Sequence, residues 1–468
     1  MPFLMVHSLR CIIMKHVDER NEGSHKLVSF STRIIRLKNV RACCILVCIT
    51  YYKYFAEVSM TLRDDADQII SAAIRSALPD AAVARALENK RFPGRVFLVS
   101  AGKAAWQMAK AASDIMGDMI SQGIVITKYA HARGEIARTR ILEAGHPVPD
   151  ENSFLAADEA LKLTAGLRAD DTVLFLLSGG GSALFEKPLV SPEELQDITK
   201  QLLACGADIV EMNTVRKRLS AVKGGRFALH CRPARVFAIV LSDIIGDPLD
   251  MIASGPAYPD ASTCDQALDI VNRYGLRLSA QALAYLKTET PKTLDNVETL
   301  VTGSVRQLCA SAQATCAELG YRPTVLTDSL CCTARDAGSF LASVARYYAD
   351  TDVSRAFIAG GETVVHLKGK GKGGRNQELA LSAAAGISGL KETAVFSVGS
   401  DGTDGPTDAA GGYADGQTAH ALKEAGISLS DELEDNNAYF ALERCGGLIK
   451  TGATGTNVND LSVLLIKR

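Results

Sequence analysis

From Leu62 onward the hydrophobic residues fall into two alternating patterns. Short apolar runs at residues 96–100, 124–127, 172–177, 236–241, 300–302, 324–327, 356–359, 394–398 and 462–466 predict strands. Between them, residues 103–116, 153–165, 191–204, 305–319, 334–348 and 377–385 place apolar side chains at helical spacing. Strands rich in Val, Ile and Leu that alternate with helices imply βαβ units. The expected fold is α/β, with two α/β domains built on mostly parallel sheets. Residues 287–297, polar and interrupted by Pro291, are the expected linker, dividing 60–295 from 296–468.

The first 59 residues break the pattern. They hold nine Lys or Arg against four Asp or Glu, four of the 12 cysteines, and only Gly23 of the 39 glycines. Their apolar run, residues 42–52, is shorter than the ~20 residues that cross a bilayer. Asp18, Glu19 and Glu22 argue against a transit peptide. Met60 leads straight into a helical pattern, so 1–59 is expected to be a non-native or misassigned extension ahead of the working start.

Composition narrows the function classes. A chain of 468 residues suits two or three domains. A formal net charge of -2 leaves no basic excess for nucleic acid or an anionic membrane. The cysteines form no CxxC pair, their two doublets lack metal-ligand spacing, and no secretion signal is readable. Reduced thiols in a cytoplasmic protein are expected.

Candidate chemistry gathers where glycine follows a strand. Ser178-Gly179-Gly180-Gly181-Ser182 ends the run 172–177, and three glycines there let main-chain N–H groups converge on an anion. It is neither GxGxxG nor a Walker A loop. Ser100-Ala101-Gly102-Lys103 repeats the arrangement with a lysine that wants an anion nearby. Lys368-Gly369-Lys370-Gly371-Lys372-Gly373-Gly374-Arg375 reads as a mobile cationic loop suited to polyphosphate, with Arg375 opening a helix. Asp243 and Asp401 follow two different strands, where carboxylates can share Mg²⁺ with phosphate. The turn 451–460, with Asn457, offers hydroxyls and amides. The basic stretch Arg216-Lys217-Arg218 and the turn Lys223-Gly224-Gly225-Arg226 read as contacts for a substrate carboxylate or as a solvated helix face. His146, between Gly145 and Pro147, reads as structural, and the metal ligands stay unknown.

Ten stretches resemble the glycerate 2-kinase family, in the same order. They are GKAA at 102–105, GHPVPD at 145–150, SGGGSAL at 178–184, MNTVRKRLS at 212–220, KGGR at 223–226, LSDIIGDP at 241–248, GGET at 360–363, GKGKGGRNQE at 369–378, SVGSDGTDGPTDAAG at 397–411 and TGATGTNVNDL at 451–461. Cys331-Cys332-Thr333-Ala334-Arg335 departs from the family, where glycine and an acidic residue precede Ala-Arg. The resemblance implies a Rossmann-like glycerate-kinase domain over 60–295, a smaller MOFRL domain over 296–468, and an active site in the interdomain cleft. It implies ATP-dependent phosphorylation of D-glycerate to 2-phosphoglycerate with Mg²⁺, and Lys103 and Arg375 as catalytic residues. On this reading Ser178, Gly179, Gly180, Gly181, Ser182, Lys370 and Lys372 hold the ATP phosphates, and Asp243 or Asp401 helps place Mg²⁺. Asn457 or the 216–218 stretch would orient glycerate. ATP and glycerate are the expected partners, with neither nucleic acid nor membrane, and a homodimer stays open. The alternatives are an NAD(P)-dependent hydroxypyruvate reductase, which lacks its GxGxxG here, and a non-catalytic sensor.

Overall fold

Six strands, β1 (Val96–Ala101), β2 (Ile120–Lys128), β3 (Thr139–Ala144), β4 (Thr172–Leu177), β5 (Arg235–Leu241) and β6 (Val297–Gly303), form the first sheet in the computed structural model, which describes residues 61–468. Their order is 3-2-1-4-5-6 and every pairing is parallel. That is the strand order of doubly wound nucleotide-binding sheets, with the order reversing between β1 and β4. The expectations for residues 1–59 lie outside the described residues.

The unbroken apolar runs are explained by burial on both faces. Leu98 of β1, Leu174 and Leu176 of β4, and Ile239 of β5 pack with Met108 and Ala109 of the helix Ala105–Met116. The intervening residues Val99, Phe175 and Ala238 point the other way, onto Ala156 and Ala160 of the helix Glu151–Leu163. Strand β3 escapes the apolar pattern because it is an edge strand and only half-buried.

The second sheet contains β7 (Arg322–Leu330), β8 (Arg355–Gly361), β9 (Thr393–Gly399), β10 (Gly411–Asp415), β11 (Leu448–Ile449) and β12 (Asp460–Ile466), in the order 11-10-9-12-8-7. Here only β7 and β8 run parallel, and the other four pairings are antiparallel. Across both sheets parallel pairings still predominate, but this half is mixed. One of these four has a local reason: β10 follows β9 without the intervening helix that a parallel crossover would need.

Two features cut across the expected division at 295/296. The helix Leu62–Ser76, capped by Thr61 and Asp64, packs Ala66, Ile69 and Ala73 against Ile358, Phe396 and Val463 of the second sheet. Strand β6, by contrast, completes the first sheet. The expected linker is tied into the first lobe, where Thr290 donates to Asp260 at 2.8 Å and Asn296 donates to Ala228 O at 2.9 Å. The chain therefore passes between lobes twice, near Ala77 and near Gly303. Arg85 fastens the two crossings together, donating to Ser76 O at 2.6 Å and to Thr302 O at 2.7 Å. Both lobes lie within one compact unit, Met60–Arg468. Among the described residues no helix is long and apolar enough to cross a membrane.

Candidate active site

The loops that leave β1 and β4 touch at the point where strand order reverses. Lys103 N donates to Gly179 O at 2.9 Å, and Ala104 N donates to Ser178 Oγ at 3.1 Å. Close approach dictates the glycines. A Cβ on Gly179 would stand 2.3 Å from Asp243 Oδ2. Gly180 has φ +84°, and a Cβ there would meet the His146 ring at 3.0 Å and Lys103 Cε at 3.2 Å. Lys103, His146 and Asp243 are thus gathered around bare backbone.

This gathering has an electrostatic signature. Burial pushes the Asp243 carboxyl up, with Lys103 and His146 opposing and Glu362 adding to the rise. Burial lowers the His146 pKa, and the nearby charges of Lys103 and Lys128 push it further down. Neither the Lys103 ammonium nor the Asp243 carboxylate has a side-chain partner among the described residues. Both line a cavity of about 340 Å³ with Ser178 and Gly179, and the second lobe contributes Asp401 and Asn457 to its wall.

Arg375 begins the helix Arg375–Ile387 and is clamped from two sides. Its Nε and Nη2 donate to Asp460 at 2.6 and 3.1 Å, and Nη1 lies 2.9 Å from Glu362. Burial alone would lower its pKa, but the Asp460 and Glu362 carboxylates hold it above the ordinary arginine value. The start of this helix is fixed by Asp404, which accepts from Asn376 N at 3.2 Å and Gln377 N at 2.9 Å. Burial pushes the Asp404 pKa up to about 6, against the lowering by those two bonds. Glu362 bears on the charge of both Asp243 and Arg375, though neither Glu362 nor Arg375 lines the cavity itself.

Other sequence candidates go elsewhere. Gly181 packs toward Ala253, and Ser182 pairs with Ser254 at 3.1 Å, so the far half of the triple-glycine turn faces inward. Lys223 supports that turn from beneath, donating to Ser182 O at 2.6 Å; burial lowers its pKa to about 8 despite Glu186 at 2.7 Å. The Lys/Gly loop is pinned. Lys368 N donates to Asn436 Oδ1 at 2.8 Å, Lys370 N to Asp435 Oδ1 at 2.9 Å, and Lys372 N to Asn437 Oδ1 at 3.0 Å. Lys372 Nζ lies 4.4 Å over the Tyr439 ring, and neither Lys370 nor Lys372 lines the cavity. Its glycines serve close packing, since a Cβ on Gly371 would stand 2.5 Å from Asp435 O.

The basic stretch at 216–218 is largely internal rather than solvated. Arg218 is fully buried, with Ser262 at 2.8 Å and Glu289 at 3.1 Å, and Lys217 lies 3.2 Å from Asp260. Conversely, the cavity wall includes residues that motif reading passes over, namely Trp106, Gln107, His131 and Arg133. The one usable signal was that Trp106 is the single tryptophan of the chain.

A divalent cation at this site would rely on few protein ligands. Among the described residues no group of three or more His, Cys, Asp or Glu could hold a metal. That suits Mg²⁺, which takes one or two carboxylates and completes its shell with phosphate and water. Asp243, with no side-chain hydrogen bond or ion pair among the described residues, and Asp401 both line the cavity and fit that need.

Two family models match the chain: a domain of unknown function, DUF4147, over residues 65–287, and the MOFRL family over residues 355–460. The D-glycerate 2-kinase of Thermotoga maritima is 50% identical over 412 residues, covering 87% of this chain and 99% of that protein. A crystal structure of glycerate kinase from Thermotoga maritima superposes with a TM-score of 0.82 at 50% identity, covering 86% of this chain and 99% of the other. A protein of Agrobacterium vitis that carries the provisional name hydroxypyruvate reductase is 39% identical, covering 85% of this chain and 93% of its own.

Proposed function

The chain belongs to the glycerate 2-kinase family, and from that premise we propose that the cavity at the β1/β4 reversal is where it passes the γ-phosphoryl group of ATP to D-glycerate. The products are 2-phosphoglycerate and ADP. The observation that carries this assignment is Lys103, an ammonium with no hydrogen bond or ion pair among the described residues, at the point where open α/β sheets bind nucleotides.

The chemistry asks for positioning and charge neutralisation rather than covalent catalysis. The 2-hydroxyl oxygen of glycerate bonds to the γ-phosphorus as the bond to the bridging oxygen breaks; ADP leaves with that electron pair, and the hydroxyl proton is released to water. Lys103 neutralises charge on the transferring group from the first lobe. Arg375 does so from the second, kept in one orientation by Asp460 and Glu362. Ser178 and Gly179 present the turn on which the phosphates rest, and Asn457 closes the cavity from the opposite lobe. Asp243 and Asp401 would hold Mg²⁺ beside the phosphates, and the ion would supply neutralisation of charge on the leaving group. The same reading keeps the enzyme in the cytoplasm, acting on small molecules alone or as a homodimer.

Hydroxypyruvate reduction finds less support. The turn after β1 carries Gly102 alone where a dinucleotide fold places GxGxxG. A ³¹P NMR assay of the full chain with D-glycerate, ATP and Mg²⁺ separates the readings. The expected result is a 2-phosphoglycerate signal that grows with ADP. No phosphoglycerate, together with NAD(P)H consumption on hydroxypyruvate, would overturn the assignment, and a 3-phosphoglycerate signal would overturn the regiochemistry.

A further inference from the structure

The geometry points to a purine-base subsite in the same cavity, with Trp106 as the stacking surface and the amides of Gln107 and Asn457 reading the base edge. This inference rests on ATP being the phosphoryl donor. Size comes first. A three-carbon acid fills only a fraction of about 340 Å³, a volume at the lower end of the roughly 300–1,000 Å³ that drug-sized ligands occupy.

The wall matches a nucleotide part by part. Trp106 Nε1 donates to Gly134 O at 2.9 Å, so its one polar atom is already committed; part of the ring packs on the core of the first lobe, and the rest lines the cavity. Gln107 and Asn457 have no side-chain hydrogen bonds among the described residues, and a primary amide offers the donor and acceptor that a purine edge complements. Gln107 belongs to the first lobe and Asn457 to the second. Gln107 Oε1 lies 3.6 Å from where a Cβ on Gly455 would stand, so the lobes meet at this wall. Arg133 is exposed on the same cavity, without an ion-pair partner among the described residues, and supplies positive charge beside Lys103. Its position in the loop after β2 agrees with doubly wound sheets, where the nucleotide extends from the first strand's loop toward β2.

Because Trp106 is the single tryptophan in the sequence, its emission in the full chain reports on this subsite alone. ATP and ADP are expected to change that emission at saturation, whereas inorganic tripolyphosphate and D-glycerate leave it unchanged. Trp106→Ala should raise KM for ATP roughly 5- to 150-fold, the range of one lost base–aromatic stack. KM for D-glycerate and inhibition by tripolyphosphate should stay within about twofold of wild type. Trp106→Phe, which keeps a ring, should recover most of the affinity. Emission indifferent to ATP during turnover would refute the subsite, as would a Trp106→Ala variant that loses tripolyphosphate as much as ATP. A rise in KM for ATP caused by Val148→Glu but not by Trp106→Ala would move the base to the neighbouring cavity beside Pro149. If ATP perturbs the tryptophan yet no phosphoglycerate forms, the subsite stands and the kinase reading falls.

Discussion

Asp460→Asn tests whether the second lobe acts through a held arginine. Asp460 has a side chain only 6% exposed and accepts from Arg375 at 2.6 and 3.1 Å. Replacing one carboxylate oxygen by an amide NH₂ keeps the shape but turns an acceptor into a donor that faces a guanidinium. One charge-assisted bond is lost, worth about 1.5–3 kcal/mol. Glu362 at 2.9 Å remains, but its side chain is 47% exposed, so it restrains Arg375 from one side only. If half of the lost energy is missing in the transition state, kcat falls about 3- to 12-fold, at ~1.4 kcal/mol per factor of ten. The assay is ADP release at saturating ATP and D-glycerate, with a thermal melt on each variant. The control is the same substitution in an Arg375→Met background, where its effect on kcat should vanish. An equal drop in both backgrounds, or an unchanged kcat beside a lowered Tm, would refute the view that Asp460 works by positioning Arg375.

Two further outcomes are expected. Lys103→Ala should lower kcat by about 10² or more, measured by the same assay, with the melting temperature near wild type because the ammonium makes no hydrogen bond or ion pair among the described residues; near-normal turnover would remove Lys103 from the chemistry. Asp171, whose buried side chain takes the Arg95 guanidinium at 2.9 and 2.6 Å, is held below the ordinary carboxylate value of 3.8, chiefly by that side-chain bond. A carboxylate depressed in the folded state stabilises it above the unfolded pKa and loses that contribution as pH falls. Chemical denaturation of wild type and Asp171→Asn should therefore differ at pH 7, with the gap beginning to narrow as pH falls below 3.8; a constant gap down to pH 3 would contradict this.

Strands buried on both faces were legible because periodicity there reduces to a plain apolar run, as in Phe175 and its neighbours. The glycine turn after β4 was legible as a place of close backbone approach because three glycines in a row have few other uses. Partners distant in sequence were not. Arg375 stood out, but nothing local ties it to Asp460, 85 residues on. Cationic motifs misled for a related reason: a run such as 216–218 does not reveal that Asp260 and Glu289 fold over it. Strands β10 and β11 were invisible because one opens on two glycines and the other has two residues. Trp106 and Arg133 belong to no motif and acquire meaning only from the cavity they share.

The double passage of the chain between lobes also sets an order of events on the ribosome. Helix Leu62–Ser76 is made early, but β12, which lies between β9 and β8 in its sheet, follows about 390 residues after it. At ~5–20 residues per second that is a wait of roughly 20–80 s. During it, Ala66, Ile69 and Ala73 have no finished sheet to cover them, while the six strands of the first lobe are complete once Gly303 has emerged. The lobe carrying Lys103 can thus close first, as an insertion within the other. A chain truncated before Asp460 would carry a finished first sheet beside a second that lacks its central strand.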